Sequence, residues 1–272
     1  MRTKVTASPR PKHYRAIADY YDAENARHAM LEQDVPFFLR QLPRRAKPGR
    51  RVTVLELGVG TGRAAIPMAQ AGHAVVGVDY DAAMLELAAR KRDAVGLGGR
   101  DLALVESDLL ELDLGRRFDW VCVFFNTFLS FTTLEQQDRV LQSVRRHLKP
   151  GGGFWVDVFQ PNLELLARGS SRDLEPHAFY VPHLNRTVFQ ATHIEVDAAR
   201  QLQRVTFEYA WFEPDGRERR RRREFDLTFL FERELRILAS RNGLRVEQTF
   251  GDYDGSPPSS ESPRLMARCC RA

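Results

Sequence analysis

The sequence predicts an α/β fold: a mostly parallel sheet that is later interrupted by an antiparallel ribbon. Three observations lead there. Short apolar strands alternate with helical stretches from Arg51 to Phe159, a glycine-rich break follows the first strand at Gly58, Gly60 and Gly62, and residues 178–231 switch to period-two alternation. Alternating strand and helix is the pattern of a parallel sheet with crossover helices, whereas period two marks half-buried antiparallel strands. At 272 residues the chain can bury one large core, so one α/β domain with an insertion accounts for its length.

Taken in order, residues 1–12 carry Pro, Lys and Arg without periodicity and read as a disordered start. Tyr14, Ile17, Ala18 and Tyr21 recur at helical spacing. A second helix follows, with Asp34 as its cap, Pro36 in its first turn, and Val35, Phe38, Leu39 and Leu42 as its stripe. Both helices precede the first strand, so they cannot be crossovers and must pack over the domain or its mouth. Strands are expected at 51–57, 74–79, 102–106, 119–125 and 153–159, separated by helices near 61–71, 81–93 and 134–148. Leu141, Val144 and Leu148 share a face of the last helix, and Pro67 predicts a kink in the first.

Beyond Phe159, Val205, Phe207, Tyr209 and Trp211 occupy one strand face, and Phe225, Leu227, Phe229 and Phe231 another. With 187–196 they predict about three strands of usual length. A final helix at 232–242 stops at Gly243, and strands at 244–250 and 264–270 close the sheet as an antiparallel hairpin.

Composition narrows the function classes. Three cysteines, two of them the adjacent Cys269 and Cys270, cannot form a disulfide framework, which points to a reducing cytoplasm. No signal-peptide pattern and no run of about 18 apolar residues occurs, so neither export nor a membrane is expected. The net charge is a modest +5, but six of the seven residues Arg217 to Arg223 are arginine. That run could be an electrostatic footprint for nucleic acid. It also follows an Asp215-Gly216 hairpin signal, so its members can face solvent or pair with Glu208, Glu213 and Glu224 across the ribbon.

The chemistry concentrates at strand ends. Val54-Leu-Glu-Leu-Gly-Val-Gly-Thr-Gly-Arg63 reads as strand, tight turn and helix start, and its glycines let a ligand lie against the backbone. A dinucleotide fingerprint would carry a glycine where Arg63 stands. Glu56 suits an ammonium better than a phosphate. Asp79 ends the second strand where an α/β crevice places the partner of a ribose diol, and Asp108 follows the third, placed to accept from an exocyclic adenine amine. The pattern points to a nucleoside cofactor without phosphates.

This combination, E-x-G-x-G-x-G with Asp79 and Asp108-Leu109, resembles the class I S-adenosylmethionine-dependent methyltransferases. Leu148-Lys-Pro-Gly-Gly-Gly-Phe-Trp-Val-Asp157 is similar to the family's turn and strand before the substrate loop, and Phe124-Phe-Asn-Thr-Phe128 to its segment along the methionine moiety. The tail, Phe250-Gly-Asp-Tyr-Asp-Gly-Ser-Pro with Ser262-Pro-Arg-Leu-Met, resembles a bacterial small-molecule subgroup. The resemblance implies a Rossmann-like seven-stranded sheet, with 1–48 as an N-terminal helical lid, 49–160 and 232–272 as the cofactor-binding core, and 161–231 as an inserted helix and β-ribbon over the substrate.

It further implies that S-adenosyl-L-methionine binds at Gly58, Gly60, Thr61, Gly62 and Arg63, with its ribose on Asp79 and its amino group oriented by Glu56. Adenine would be flanked by Asp108 and Leu109, with Met84 on its face or in the core, and Tyr80 against ribose or base. Phe125 and Asn126 would lie near the methionine part, and Tyr21, preferred over Tyr20, would close on its carboxylate or simply belong to an apolar helix face. No catalytic base is assigned. Asp157, Tyr21 and Asn126 are the candidates, with Asp157 read either as an amine anchor or base or as a structural carboxylate. Tyr253, Asp252 and Asp254 border the pocket or make a turn.

The implied reaction is methyl transfer to N or O of a small metabolite, by alignment and desolvation more than by acid–base work. The rivals are an RNA or DNA methyltransferase using residues 217–223, a non-catalytic cofactor-binding or dimerising module, and, more distantly, a nicotinamide dehydrogenase. A homodimer through the ribbon is a further expectation. His177 and His183 lack the spacing of a metal pair, no P-loop or nucleophile elbow occurs, and no metal site is expected.

Overall fold

The computed structural model describes residues 18–26, 28–42, 51–173 and 175–272. The expected disordered start and the helical positions Tyr14 and Ile17 lie outside the described residues. Two helices come first, α1 (Ala18–Asn25) and α2 (Asp34–Gln41). They are followed by β1 (Thr53–Leu57), α3 (Ala65–Gln70), β2 (Ala74–Asp79), α4 (Ala82–Ala94), β3 (Leu102–Glu106), β4 (Phe118–Val123), α5 (Leu134–His147) and β5 (Leu148–Phe159). The insertion comprises α6 (Leu163–Arg168), β6 (Ser170–Arg172), β7 (His177–Val181), β8 (Arg186–Asp197), β9 (Leu202–Phe212) and β10 (Glu218–Thr228). The chain ends with α7 (Glu232–Arg241), β11 (Leu244–Phe250) and β12 (Arg264–Arg271).

The main sheet has seven strands in the order β11-β12-β5-β4-β1-β2-β3. Neighbouring β1 pairs in parallel with both β2 and β4, while β12 runs antiparallel to β5 and β11. The strand order therefore reverses between β1 and β4, which is where open α/β sheets leave a crevice at their carboxyl ends. Alternate residues face opposite sides. Leu55, Leu57, Val121 and Val123 pack with α5 and α7, and Val54, Trp120, Cys122 and Trp155 with α2 and α3. On that second side Phe38 is completely buried, edge-on to Trp120 and Phe124 at 5.7 and 5.4 Å. Truncating such a ring costs about 3–5 kcal/mol.

Helix starts follow local chemistry. Asp81 caps α4 by accepting from Ala83 N, and Thr133 and Gln136 form a reciprocal capping box at α5. Two expectations change here. Asp34 does not cap α2 but is its first residue, because its carboxylate is claimed by Arg63. Nor does Pro67 kink a long helix: α3 begins only at Ala65, so the proline sits in the first turn, where a missing donor costs no intrahelical bond.

The inserted ribbon is larger than expected. Strands β10-β9-β8-β6 form one antiparallel sheet, β7 also pairs with β8, and β8, β9 and β10 reach 12, 11 and 11 residues. Continuous cross-strand pairing from Glu218↔Phe212 to Thr228↔Leu202 sustains that length. The predicted face holds, with Val205, Tyr209 and Trp211 buried. Phe229 and Phe231 fall beyond the last strand, where the chain turns into α7. Helix α1 packs on this buried face: Tyr20 contacts Tyr209 and Trp211 at ring separations of 6.2 and 5.9 Å. No helix among the described residues is long and apolar enough to cross a membrane.

Candidate functional site

The turn after β1 folds back on β2, with Gly58 N and Val59 N both donating to Val78 O at 2.8 and 2.9 Å. Gly58 has φ +77°, and a Cβ there would lie 2.4 Å from the Thr127 methyl group. A side chain at Gly77 on β2 would strike Val59 at 2.5 Å. Both glycines are thus required by close approach, one for the turn and one for the strand beneath it. Gly60 also has positive φ, but the space above it is open, as a cradle for a ligand requires.

Asp79 holds this turn. Its carboxylate accepts from Gly60 N at 2.8 Å and from Asp81 N at 3.1 Å, and the Tyr80 backbone N–H is a third donor to it. Burial raises its pKa, and the backbone donors work against that rise.

Glu56 lies deeper, 3% exposed, with no partner on Oε2. Burial raises its pKa to about 8, with the nearby Arg63 guanidinium lowering it and Asp34 and Asp79 adding to the rise. A buried carboxyl with an unmet oxygen, facing a crevice, fits a cationic amine. The residues therefore fit a nucleoside cofactor that carries an ammonium.

The crevice is lined by Tyr21, Glu56, Gly58, Gly60, Thr61 and Arg63 on one side and by Phe124, Phe125 and Thr127 on the other. Strand β4 stops at Val123, earlier than expected, because Phe125 and Asn126 take positive φ values of 47° and 64°. That bend turns the Phe125 ring to the crevice. Asn126 is buried, and its Oδ1 accepts from Phe159 N at 2.8 Å, so its amide braces the end of β5. A separate surface depression of about 770 Å³ lies along α7 between Glu232 and Arg241, apart from all of these groups.

Two latches close the crevice. Thr61 Oγ1 donates to Asp22 Oδ1 at 2.6 Å, and Lys91 Nζ reaches the same carboxylate. Arg63 donates to both oxygens of Asp34, at 3.0 and 2.6 Å, and to Leu31 O. Burial opposes the Arg63 charge, and Asp34 overrides that effect. Asp22, Lys91 and Gly77 carry no motif signal, Asp34 reads only as a helix cap, and Thr127 stands inside the Phe124–Phe128 segment without a role of its own. Arg63, a charged residue where a dinucleotide fingerprint carries a glycine, is the signal that could have pointed to Asp34.

The remaining predicted residues lie around this core. Met84 is 1% exposed on α4, and Gly62 lets α3 approach α4, since its Cβ would meet Ala88 at 3.3 Å. Tyr80 follows Asp79 directly and is half-buried. Asp108 accepts from Leu110 N at 2.7 Å, while the Leu109 side chain joins the core on the α5 side of the sheet.

The contacts of Asp157 bear on its two readings. It is fully buried, Oδ1 accepts from Arg264 Nε at 2.8 Å, and Oδ2 accepts from Tyr253 OH at 2.9 Å. Both oxygens are engaged by the protein, which fits the structural one of the two readings. Asp252 and Asp254 make the turn, accepting from Tyr253 N and Ser256 N.

A family profile described as "Methyltransferase domain" matches residues 54–152. A cypemycin N-terminal methyltransferase from Streptomyces sp is 30% identical over 214 residues, covering 79% of this chain and 81% of the relative. Among solved structures, the CcbJ methyltransferase from Streptomyces caelestis superposes with a TM-score of 0.75 at 24% identity, over 94% of this chain and 96% of that one. The sugar N-methyltransferase KedS8 from Streptoalloteichus sp gives 0.70 at 20% identity, over 98% and 96%.

Proposed function

The chain belongs to the class I S-adenosylmethionine-dependent methyltransferases, and from that premise we propose that it methylates an amine nitrogen of a small-molecule acceptor. The observation that carries the reading is the buried, unpartnered Glu56 oxygen at the crevice, beside open Gly60 and below Tyr21. Preference for nitrogen over oxygen draws on relatives named for N-terminal and sugar N-methylation. When bound, S-adenosyl-L-methionine supplies an electrophilic methyl group on a sulfonium.

The residues divide the remaining work. Asp79 takes the ribose diol, Glu56 the amino group, and Tyr21 closes over the carboxylate, with Phe125 shaping the wall beside the methionine part. Asp108, Leu109, Tyr80 and Met84 frame the adenine side. No base is needed when an amine arrives unprotonated, which suits a site whose Asp157 is already committed to Arg264. Alignment and exclusion of water under α1 and the ribbon then supply the rate, up to about 7–11 kcal/mol.

Calorimetric titration with S-adenosylhomocysteine tests the site: Asp79→Ala is expected to weaken binding by about 2–3 kcal/mol, and unchanged affinity would remove Asp79 from it. Incubation with a panel of small amines and alcohols, read as a mass gain of one methyl group, tests the acceptor. Gain on alcohols alone would refute the nitrogen assignment.

The outer ribbon face carries exposed Tyr180, Phe189 and Phe212, and we propose it as a homodimer surface. Light scattering of Phe212→Glu at micromolar concentration should show a monomer, and an unshifted mass would discount that face. A reducing cytoplasm is the proposed compartment, in keeping with three free cysteines.

A further inference from the structure

Asn126 has one end of its side chain committed and the other open. Its Oδ1 accepts from Phe159 N at 2.8 Å, and because the donor is a backbone N–H, the end of the amide that meets it has to be the oxygen. Nδ2 carries two donors. They meet no protein group among the described residues, and the nitrogen stays open to solvent although the residue is only 7% exposed.

The backbone shows where that opening lies. Asn126 has φ 64° and Phe125 before it φ 47°, the left-handed region that a bulky ring seldom enters. Bends of this kind persist only where the surrounding structure holds them, and they cluster at binding sites. Here both chain neighbours of Asn126, Phe125 and Thr127, line the crevice. The amide is part of the crevice wall.

Beside it the wall is apolar. Phe125 and Phe159 meet edge to face at 6.0 Å, and the fully buried Arg264 lies 4.5 Å over the Phe159 ring. Phe159 nevertheless remains 37% exposed, and Leu163, which opens α6, 53%. A molecule leaving the crevice past Phe125 therefore runs along an aromatic and then an aliphatic surface, with one amide donor set into it. Polar groups placed singly in apolar walls fix a ligand's orientation.

We propose that Asn126 Nδ2 donates to an oxygen of the methyl acceptor, carried on the carbon next to the one that bears the amine, while the apolar body of the acceptor lies along Phe159 and Leu163. A bond to the amine nitrogen itself would occupy the lone pair that has to attack the methyl carbon, so the donor suits a second atom. That atom is near the first. Consecutive residues stand about 3.8 Å apart, and Phe125 shapes the wall beside the methionine part, which leaves only a few bonds between the reacting nitrogen and the oxygen. Hydroxyl and carbonyl oxygens both offer the lone pair. This deepens the methyltransferase reading above and rests on it.

Two variants separate binding from bracing. Asn126→Asp keeps an oxygen for Phe159 N and a residue type that tolerates positive φ, but replaces the donor with an acceptor. Asn126→Gly keeps the backbone and removes the amide without adding charge. Initial rates of methylation are measured with phenylglycinol, phenylglycinamide and 1-phenylpropylamine, the last having a methyl group in place of the phenylglycinol hydroxyl. In the wild type, kcat/KM for one of the oxygen-bearing amines is expected to exceed that for 1-phenylpropylamine by about tenfold or more. Whichever is preferred, phenylglycinol or phenylglycinamide, names the oxygen as hydroxyl or carbonyl.

In both variants the preference should collapse to about twofold or less, and because it is a ratio within one protein, a general loss of activity does not mimic it. A purely structural amide would leave it standing in Asn126→Asp. Preference retained in both variants, no preference in the wild type, or no methylation of any of the three amines by protein that binds S-adenosylhomocysteine would overturn the proposal. So would a loss of S-adenosylhomocysteine affinity in Asn126→Gly with the preference intact, which would put the amide on the cofactor. Wild-type protein that fails to bind S-adenosylhomocysteine marks failure of the methyltransferase reading itself, and the proposal falls with it.

Discussion

Thr61 Oγ1 donates to Asp22 Oδ1 over 2.6 Å, and this bond fastens α1 to the glycine turn. About 30 Å³ of open space remains in the crevice below, whereas a site for a drug-sized ligand needs about 300–1,000 Å³. Release of α1 is the movement that would widen the crevice for a nucleoside. A hydrogen bond to a charged group contributes about 1.5–3 kcal/mol. The Asp22 side chain is 49% exposed, which discounts it, and its ion pair with Lys91 adds little at the surface. Asp22→Ala is expected to lower hydrogen-exchange protection of residues 18–25 by about 1 kcal/mol and to speed cofactor association. Unchanged exchange would show that the bond does not hold α1 closed.

Asp157 and Arg264 are both fully buried, 107 residues apart in the chain. Burial pushes the Asp157 carboxyl up in pKa, and Arg264 and the Tyr253 hydroxyl hold against that. Removing one partner of such a pair strands the other charge. Asp157→Ala should therefore lose about 3–5 kcal/mol in urea unfolding. Tyr253→Phe, which removes one hydrogen bond, should lose about 1 kcal/mol. If Asp157→Ala left stability intact and abolished turnover, the structural assignment would be wrong.

Much of this molecule is legible because its signals are local. Alternation places most strands of the main sheet within a residue or two, although β5 starts at Leu148, five residues before the expected 153, and the turn Gly58 to Gly62 and the strand-end Asp79 announce themselves by position. The illegible part depends on partners far apart in the chain. Asp157 reads either as a substrate or as a structural carboxylate until Arg264 arrives on β12, and Asp34 reads as a helix cap until Arg63 reaches it. Likewise no spacing shows that Tyr20 and Tyr21 point to different sites, because that division appears only when the ribbon packs on one side of α1. The arginine run was visible in composition, but which residue each arginine stands across from needed the register of β9 against β10.

His147 offers a test of stability against pH. Its Nε2 accepts from Leu114 N at 3.0 Å, and Nδ1 lies 2.8 Å from Ser143 O, so the neutral ring carries its proton on Nδ1. Burial lowers its pKa and Arg146 adds to that, with the Ser143 carbonyl and Asp113 acting in the opposite direction. A folded pKa below the unfolded one means stability that is present above the ordinary histidine range and lost as pH falls through the folded value. Urea midpoints should therefore drop between pH 7 and pH 5, and His147→Gln, which keeps an acceptor that does not titrate, should flatten that drop. The same slope in both proteins would remove His147 as its source.

Glu56 reverses that sign. Its folded pKa of about 8 lies above the ordinary carboxyl value, so the cofactor-free protein gains a proton on folding and loses stability as pH rises from about 4.5 to about 8. Each pK unit corresponds to about 1.4 kcal/mol, which makes the effect a few kcal/mol across the window. An ammonium at the unmet Oε2 favours the carboxylate, so cofactor binding near neutral pH must expel the proton. Affinity for S-adenosylhomocysteine should rise with pH up to about 8 and then level. Calorimetry at pH 7 in two buffers of different ionisation enthalpy should show nearly one proton released per site. In Glu56→Gln that release should vanish and the pH dependence of stability should flatten, because the amide fills the same space without titrating. Proton release persisting in that variant would place the titrating group elsewhere.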